Sequence, residues 1–125
     1  MGGRGTFASG NSAAYSYETV GKIAGVKVLK GINGKHSLPE EAHSSWAYIK
    51  LKPNGIFHEM RIYDKDHYLV KEIAYHGEYK LTGKYDQKVL HIHNYDRNFI
   101  RTEARLLTKA ECRKYKKYFK GVPEQ

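Results

Sequence analysis

The chain lacks several of the devices on which small proteins depend. Cys112 is its only cysteine in 125 residues, which excludes an intrachain disulfide and any zinc site built on cysteines. A lone thiol fits a reducing cytoplasm, and a chain of this length buries enough surface to fold as one domain without such staples. No apolar run approaches the roughly 18 residues of a membrane-spanning helix, so a membrane partner is not expected. The N-terminal stretch MGGRGTFASGNSAAY has no apolar segment of the kind a secretory signal needs, and Arg4 fits a myristoylation pattern poorly. Acidic residues are scarce too. Thirteen Asp and Glu face 22 Lys and Arg, leaving a net charge of +9. An excess of that size favours a polyanionic partner, either nucleic acid or an anionic surface, through long-range attraction and counterion release.

What is abundant is tyrosine. Eleven of them suit half-buried strand surfaces or stacking on bases. Glycine and serine in residues 1–16 read as a flexible arm, and residues 17–125 as a single α+β domain. Tyr17 to Ile23 is expected to be a short helix. AGVKVLKGING alternates like a strand and ends at the Asn33-Gly34 turn signal, and the polar HSLPEEAHSS reads as a loop. Beyond it come WAYIKL, IFHEMRIY, YLVKEIAYH, VLHIHNY and FIRTEARLL, five β runs joined by short turns. Among those turns Lys52-Pro53-Asn54-Gly55 has the residues a type I turn prefers. The pattern predicts a four- or five-stranded antiparallel meander sheet. A C-terminal helix should pack on one face of it. Thr108 and Glu111 form its capping box, Cys112, Tyr115, Tyr118 and Phe119 its apolar stripe, and Gly121 and Pro123 its stop.

Side chains alternate along a strand, and this sorts the chemistry. Met60, Ile62, Leu90 and Ile92 are expected to face the core, with His58 in the same set as a satisfied core histidine. Ile100, Ala104 and Leu106 are expected to join them. Glu59, Arg61, Glu72, His76, His91, His93, Arg101, Glu103 and Arg105 then share the opposite face. With Lys65-Asp66 at the hairpin tip, Arg61 is expected opposite Val70 and Glu59 opposite Glu72.

Three kinds of chemistry are open to that face. Metal-independent RNA cleavage needs a base, an acid and a cation for the phosphorane. Glu59 or Glu72, one of His76, His91 and His93, and Arg61 or Arg101 supply those roles. A metal site is the second, with His91-x-His93 as two ligands and His76 or Glu72 as a third. The positive charge of Arg61, Arg101 and Arg105 penalises a bound cation, so neither metal nor other cofactor is expected. The third is a solvated face with ordinary cross-strand Glu–Arg pairs.

The segments LPEE, AYIKLKPNG, MRIYDKD, EIAYHGE and VLHIHNY, between Leu38 and Tyr95, occur in an order that resembles small toxin-like domains of phage and mobile-element proteins. Those domains are grouped with the barnase, EndoU, colicin and RelE-like ribonuclease fold. The resemblance implies functional roles for His76, His91 and His93, supported by Arg61 and Glu72, and a phage or prophage setting in the host cytoplasm. The expected function is therefore nucleic-acid binding, RNA foremost, on the polar sheet face. Arg101, Arg105, Tyr95 and Lys116 are the binding candidates, and metal-independent ribonuclease activity is a candidate reaction. The alternative is a non-enzymatic phage accessory or morphogenesis protein that binds a phage or host protein. Oligomeric state is not legible in the sequence.

Overall fold

The computed structural model describes residues 17–31, 38, 39, 42 and 45–123. The N-terminal arm and the Asn33-Gly34 turn lie outside the described residues. Seven strands form one sheet in chain order: β1 (Tyr17–Ile23), β2 (Val26–Gly31), β3 (Ala47–Leu51), β4 (Phe57–Tyr63), β5 (Leu69–Gly77), β6 (Lys88–Asn94) and β7 (Arg105–Leu106). Every neighbouring pair is antiparallel except β2 and β3, which run parallel. A short helix, α1 (Tyr79–Thr82), lies between β5 and β6. The second helix, α2 (Lys109–Tyr115), continues as a 3-10 turn over Lys116–Tyr118.

The sheet is thus wider than the four or five strands expected, and not a pure meander. Tyr17–Ile23 is a strand, not a helix. Thr19, Val20 and Ile23 favour extended backbone, and Ala24-Gly25 closes a two-residue hairpin with both residues at positive φ, 48° and 86°. That is the backbone of a primed turn, here with alanine where asparagine is usual. At the other end, the run from Phe99 to Leu107 contributes only the two residues of β7 and an isolated bridge between Tyr95 and Arg101.

One face of the sheet is the aliphatic core. Val26, Val28, Ala47, Ile49, Met60, Ile73, Leu90 and Ile92 gather there under Tyr115 and Tyr118 from the C-terminal segment. Burying side chains of this size contributes about 2 kcal/mol each. The capping box forms as its residues predict: the Glu111 amide donates to Thr108 Oγ1, and the Thr108 amide donates to Glu111 Oε1. Beyond the helix the Phe57 amide donates to the Lys120 carbonyl at 2.8 Å, and the rings of Phe57 and Phe119 lie 5.0 Å apart. Lys52 to Gly55 makes its turn, with the Gly55 amide donating to the Lys52 carbonyl.

The other face is covered as well. Leu38 and Ala42 pack with Leu29, Tyr48, Tyr63 and Leu69, and the Tyr63 hydroxyl donates to the Pro39 carbonyl. Two bulges determine what this face carries. In β3/β4 the shift between Lys50 and Leu51 puts Phe57 into the aliphatic core and leaves His58 as the extra residue. In β4/β5 Arg61 stands opposite Glu72 and Glu59 opposite Ala74, two residues away from the pairing a simple tip would give: the turn accounts for one, since Tyr63 pairs with Leu69, and the bulge between Ile62 and Tyr63 adds the other. The turn beyond that bulge is headed by Asp64, whose Oδ1 accepts from the amides of Asp66 and Tyr68, while His67 takes a positive φ of 71°. Asp96 heads a second turn of the same build, accepting from Asn98 and Ile100, with Phe99 at 60°. Arg97 ties the two turns together, 2.9 Å from Asp64 and 2.7 Å from Asp66.

Arg61 and Glu72 are both buried, and their ion pair is 2.7 Å long. Removing one partner strands a charge without water, which costs about 3–5 kcal/mol. Glu72→Ala is expected to lower stability by that order in urea denaturation. Arg61→Met combined with Glu72→Leu is expected to recover most of the loss, because no charge is then left unpaired.

Candidate functional site

The polar face is assembled by register. Arg61 on β4, Glu72 on β5 and His93 on β6 stand in one cross-strand row, and Glu59, Ala74 and His91 in the next. His76 follows two residues beyond Ala74 along β5. The side-chain parity expected for these residues therefore holds, but their exposure does not. Arg61, Glu72, His91 and His93 are buried, His91 completely so at 0% exposure. This is an interior face, not a solvated one.

The charged groups are satisfied inside it. Arg61 donates through Nε to Glu72 and through its NH1 group to the Leu38 carbonyl at 2.8 Å, and its guanidinium lies over the Tyr95 ring. Burial works against the Arg61 charge, but Glu72 and its neighbours more than offset this and push its pKa up. Glu59 has its pKa raised, chiefly by burial and then by the nearby Glu72 carboxylate. Burial also raises Tyr95, again with Glu72 adding to the effect.

The histidines form a chain of edge-on rings. Centroids are 5.9 Å apart from His58 to His76, 4.6 Å from His76 to His91, and 5.5 Å from His91 to His93. His58 joins this row because the β3/β4 bulge turns it away from the aliphatic core. Desolvation lowers its pKa to about 4, with the charges of Lys50, His76 and Lys52 acting the same way and Glu72 opposing. His91 is also lowered, first by burial and then by His76 and His93, against the pull of the Val89 carbonyl. Its Nε2 is buried without a hydrogen-bond partner among the described residues. Such an orphan costs on the order of 1–3 kcal/mol.

No family model, curated protein or solved structure matches the chain. The site is therefore read from its own geometry. Glu78, which sequence reasoning did not single out, brings its carboxylate to His91 and His93. The signal available was its place directly after His76-Gly77, where a strand breaks. Gly77 is required there, since a Cβ on it would lie 2.8 Å from the Tyr85 carbonyl oxygen.

The remaining candidates lie apart. Arg101 is exposed beside the half-buried Tyr95. Arg105 pairs with Ile92, on the aliphatic side, and Leu106 pairs with His91. That reverses the expected orientation, and Ile100 and Leu106 are exposed at 65% and 54%. With only two residues in β7, little packing is available to impose the expected alternation. Arg105 grips Glu111 through two hydrogen bonds of 2.8 and 3.0 Å. Those bonds are the main reason that the Glu111 pKa falls to about 2. Lys116 is exposed on the C-terminal segment.

A second feature is an open groove where β2 and β3 part after their two paired positions, Lys27–Tyr48 and Val28–Ile49. Its lining includes Lys30, Lys50, Lys52, Asn54 and His58 over an apolar floor of Val28, Leu29 and Leu51, with no acidic side chain among the described residues that line it. Burial and the nearby Lys88 both lower the pKa of Lys52.

His58 supplies a pH test. Its folded pKa of about 4 lies below the value of about 6.5 for an unfolded histidine. Between these values the unfolded chain binds more protons, so its contribution to stability is complete above about pH 6.5 and is lost as pH falls towards 4. His91 acts in the same direction. Urea midpoints measured from pH 7.5 down to pH 4 are expected to fall. His58→Asn should flatten part of that slope.

Proposed function

We propose that this domain binds nucleic acid, with single-stranded RNA as the preferred form, along the lysine-lined groove between β2 and β3. The observation that carries this reading is the groove's composition among the described residues: three lysines, no acid, and an apolar floor, in a chain of net charge +9. Phosphates would relieve the mutual repulsion of Lys52 and Lys88, and counterion release would favour association. The floor suits bases better than a rigid duplex does. Arg101, Lys116 and the face of Tyr95 are candidate outer contacts. On this reading the protein works in the cytoplasm of a cell carrying a phage or prophage.

Metal-independent RNA cleavage is the second reading, and it moves from the buried residues to the groove edge. His58 lines the groove and its ring is 5.9 Å from that of His76, a spacing that suits a base and an acid on either side of one phosphate. Arg61 and Glu72 then hold the sheet in shape and do not touch the substrate.

Binding of a fluorescent single-stranded RNA is expected to weaken linearly with the logarithm of salt concentration. Replacing Lys30 and Lys52 by Gln should reduce that slope by about 0.7 per lysine. Cleavage in EDTA that is lost in His58→Ala and His76→Ala supports the second reading. Absence of binding at low salt overturns both and leaves a protein-binding accessory role.

A further inference from the structure

Three imidazoles of the polar face are held in the same way. Nδ1 of His76 lies 2.9 Å from the Gly77 carbonyl, Nδ1 of His91 lies 2.9 Å from that of Val89, and Nδ1 of His93 lies 2.8 Å from that of Thr102. A carbonyl oxygen only accepts, so each Nδ1 carries a proton, and in the neutral ring Nε2 presents a lone pair. This is how metal-ligating histidines are held: a backbone carbonyl on one ring nitrogen fixes tautomer and ring angle, and the other nitrogen coordinates. Nε2 of His91 is moreover fully buried with no protein partner among the described residues.

We propose that Glu78, His91 and His93 form a binding site for a divalent transition-metal ion of the zinc type. A ring nitrogen of each histidine and a carboxylate oxygen of Glu78 lie within 4.8 Å of one another, and two imidazoles with one carboxylate are a donor set that zinc accepts. Bonds of about 2.0–2.2 Å require the three to draw together. Glu78 has the freedom to do so. It is half-buried, and although it stands at the N-cap of α1 its side chain makes no capping hydrogen bond. A fourth position is left for solvent or for His76, whose ring is 4.6 Å from that of His91.

The charge that would oppose a cation is largely neutralised. Arg61 is paired with Glu72 and Arg105 with Glu111, and Lys80 lies 3.6 Å from Glu103. None of Glu78, His91 and His93 lines the lysine groove, so the site does not depend on the groove lysines, although His76 links the two through its contacts with His58 and His91.

The test begins with full-length protein stripped by a chelator and dialysed. Zn²⁺ is then titrated by calorimetry, and Co²⁺ by visible absorption. The expected result is one equivalent bound, a higher Tm, and the intense Co²⁺ band of a four-coordinate site. Glu78→Gln removes the anionic donor without touching the buried rings. It should weaken Zn²⁺ binding at least tenfold while leaving the metal-free Tm unchanged. Ring signals of His91 and His93 should shift on Zn²⁺ addition. No stoichiometric binding, an affinity unchanged in Glu78→Gln, or shifts confined to the exposed histidines would each overturn the site.

Discussion

Arg61 stands at the junction on which the second half of this structure depends. Its guanidinium joins β4 to β5 through Glu72 and joins the sheet to the Leu38 backbone. An ion pair of this kind gains little net energy over an apolar replacement, because desolvating both charges is costly. Its effect is on geometry. Once the segment around Leu38 and Ala42 is drawn onto the sheet, water is excluded from a face that carries two carboxylates, an arginine and several histidines, and each polar group must find a partner within the fold. The backbone carbonyls of Gly77, Val89 and Thr102 meet much of that demand. They accept one proton from each imidazole, and at His91 the other nitrogen is left buried.

The consequence is a division of labour between interior and rim. The buried half of the histidine row, His91 and His93, suits coordination or structural support better than reaction with a polymer. The accessible end of the row, at His58 and His76, meets the lysine groove. Lys30, Lys50 and Lys52 line that groove, and Lys116 lies on the exposed side of the C-terminal segment.

Much of this was legible wherever the determinants were local. The capping box at Thr108 and Glu111 and the turn at Lys52–Gly55 follow from a few adjacent residues. Alternation placed Glu72, His91 and His93 on one face because β5 and β6 pair without a bulge. What the sequence concealed was non-local or a matter of one extra residue. Parity does not say whether a polar face will be covered, and here the cover comes from Leu38, Pro39 and Ala42, about twenty positions before Arg61. The bulge at Lys50/Leu51 exchanged Phe57 and His58, and the one at Ile62/Tyr63, together with a turn one residue longer than a two-residue tip, moved Arg61 from Val70 to Glu72. Ala24-Gly25 is a weak turn signal, so β1 read as helix. Glu78 was missed because its partners lie thirteen and fifteen residues downstream.

The central claim is that the interior histidines are locked as Nδ1–H tautomers by backbone carbonyls, with Nε2 unprotonated. Long-range proton–nitrogen correlation spectra of the histidine rings, recorded on metal-free protein at neutral pH, test it directly. Both His91 and His93 are expected to show the Nδ1–H pattern. An Nε2–H pattern at either residue, or the averaged signals of freely exchanging rings, would contradict it.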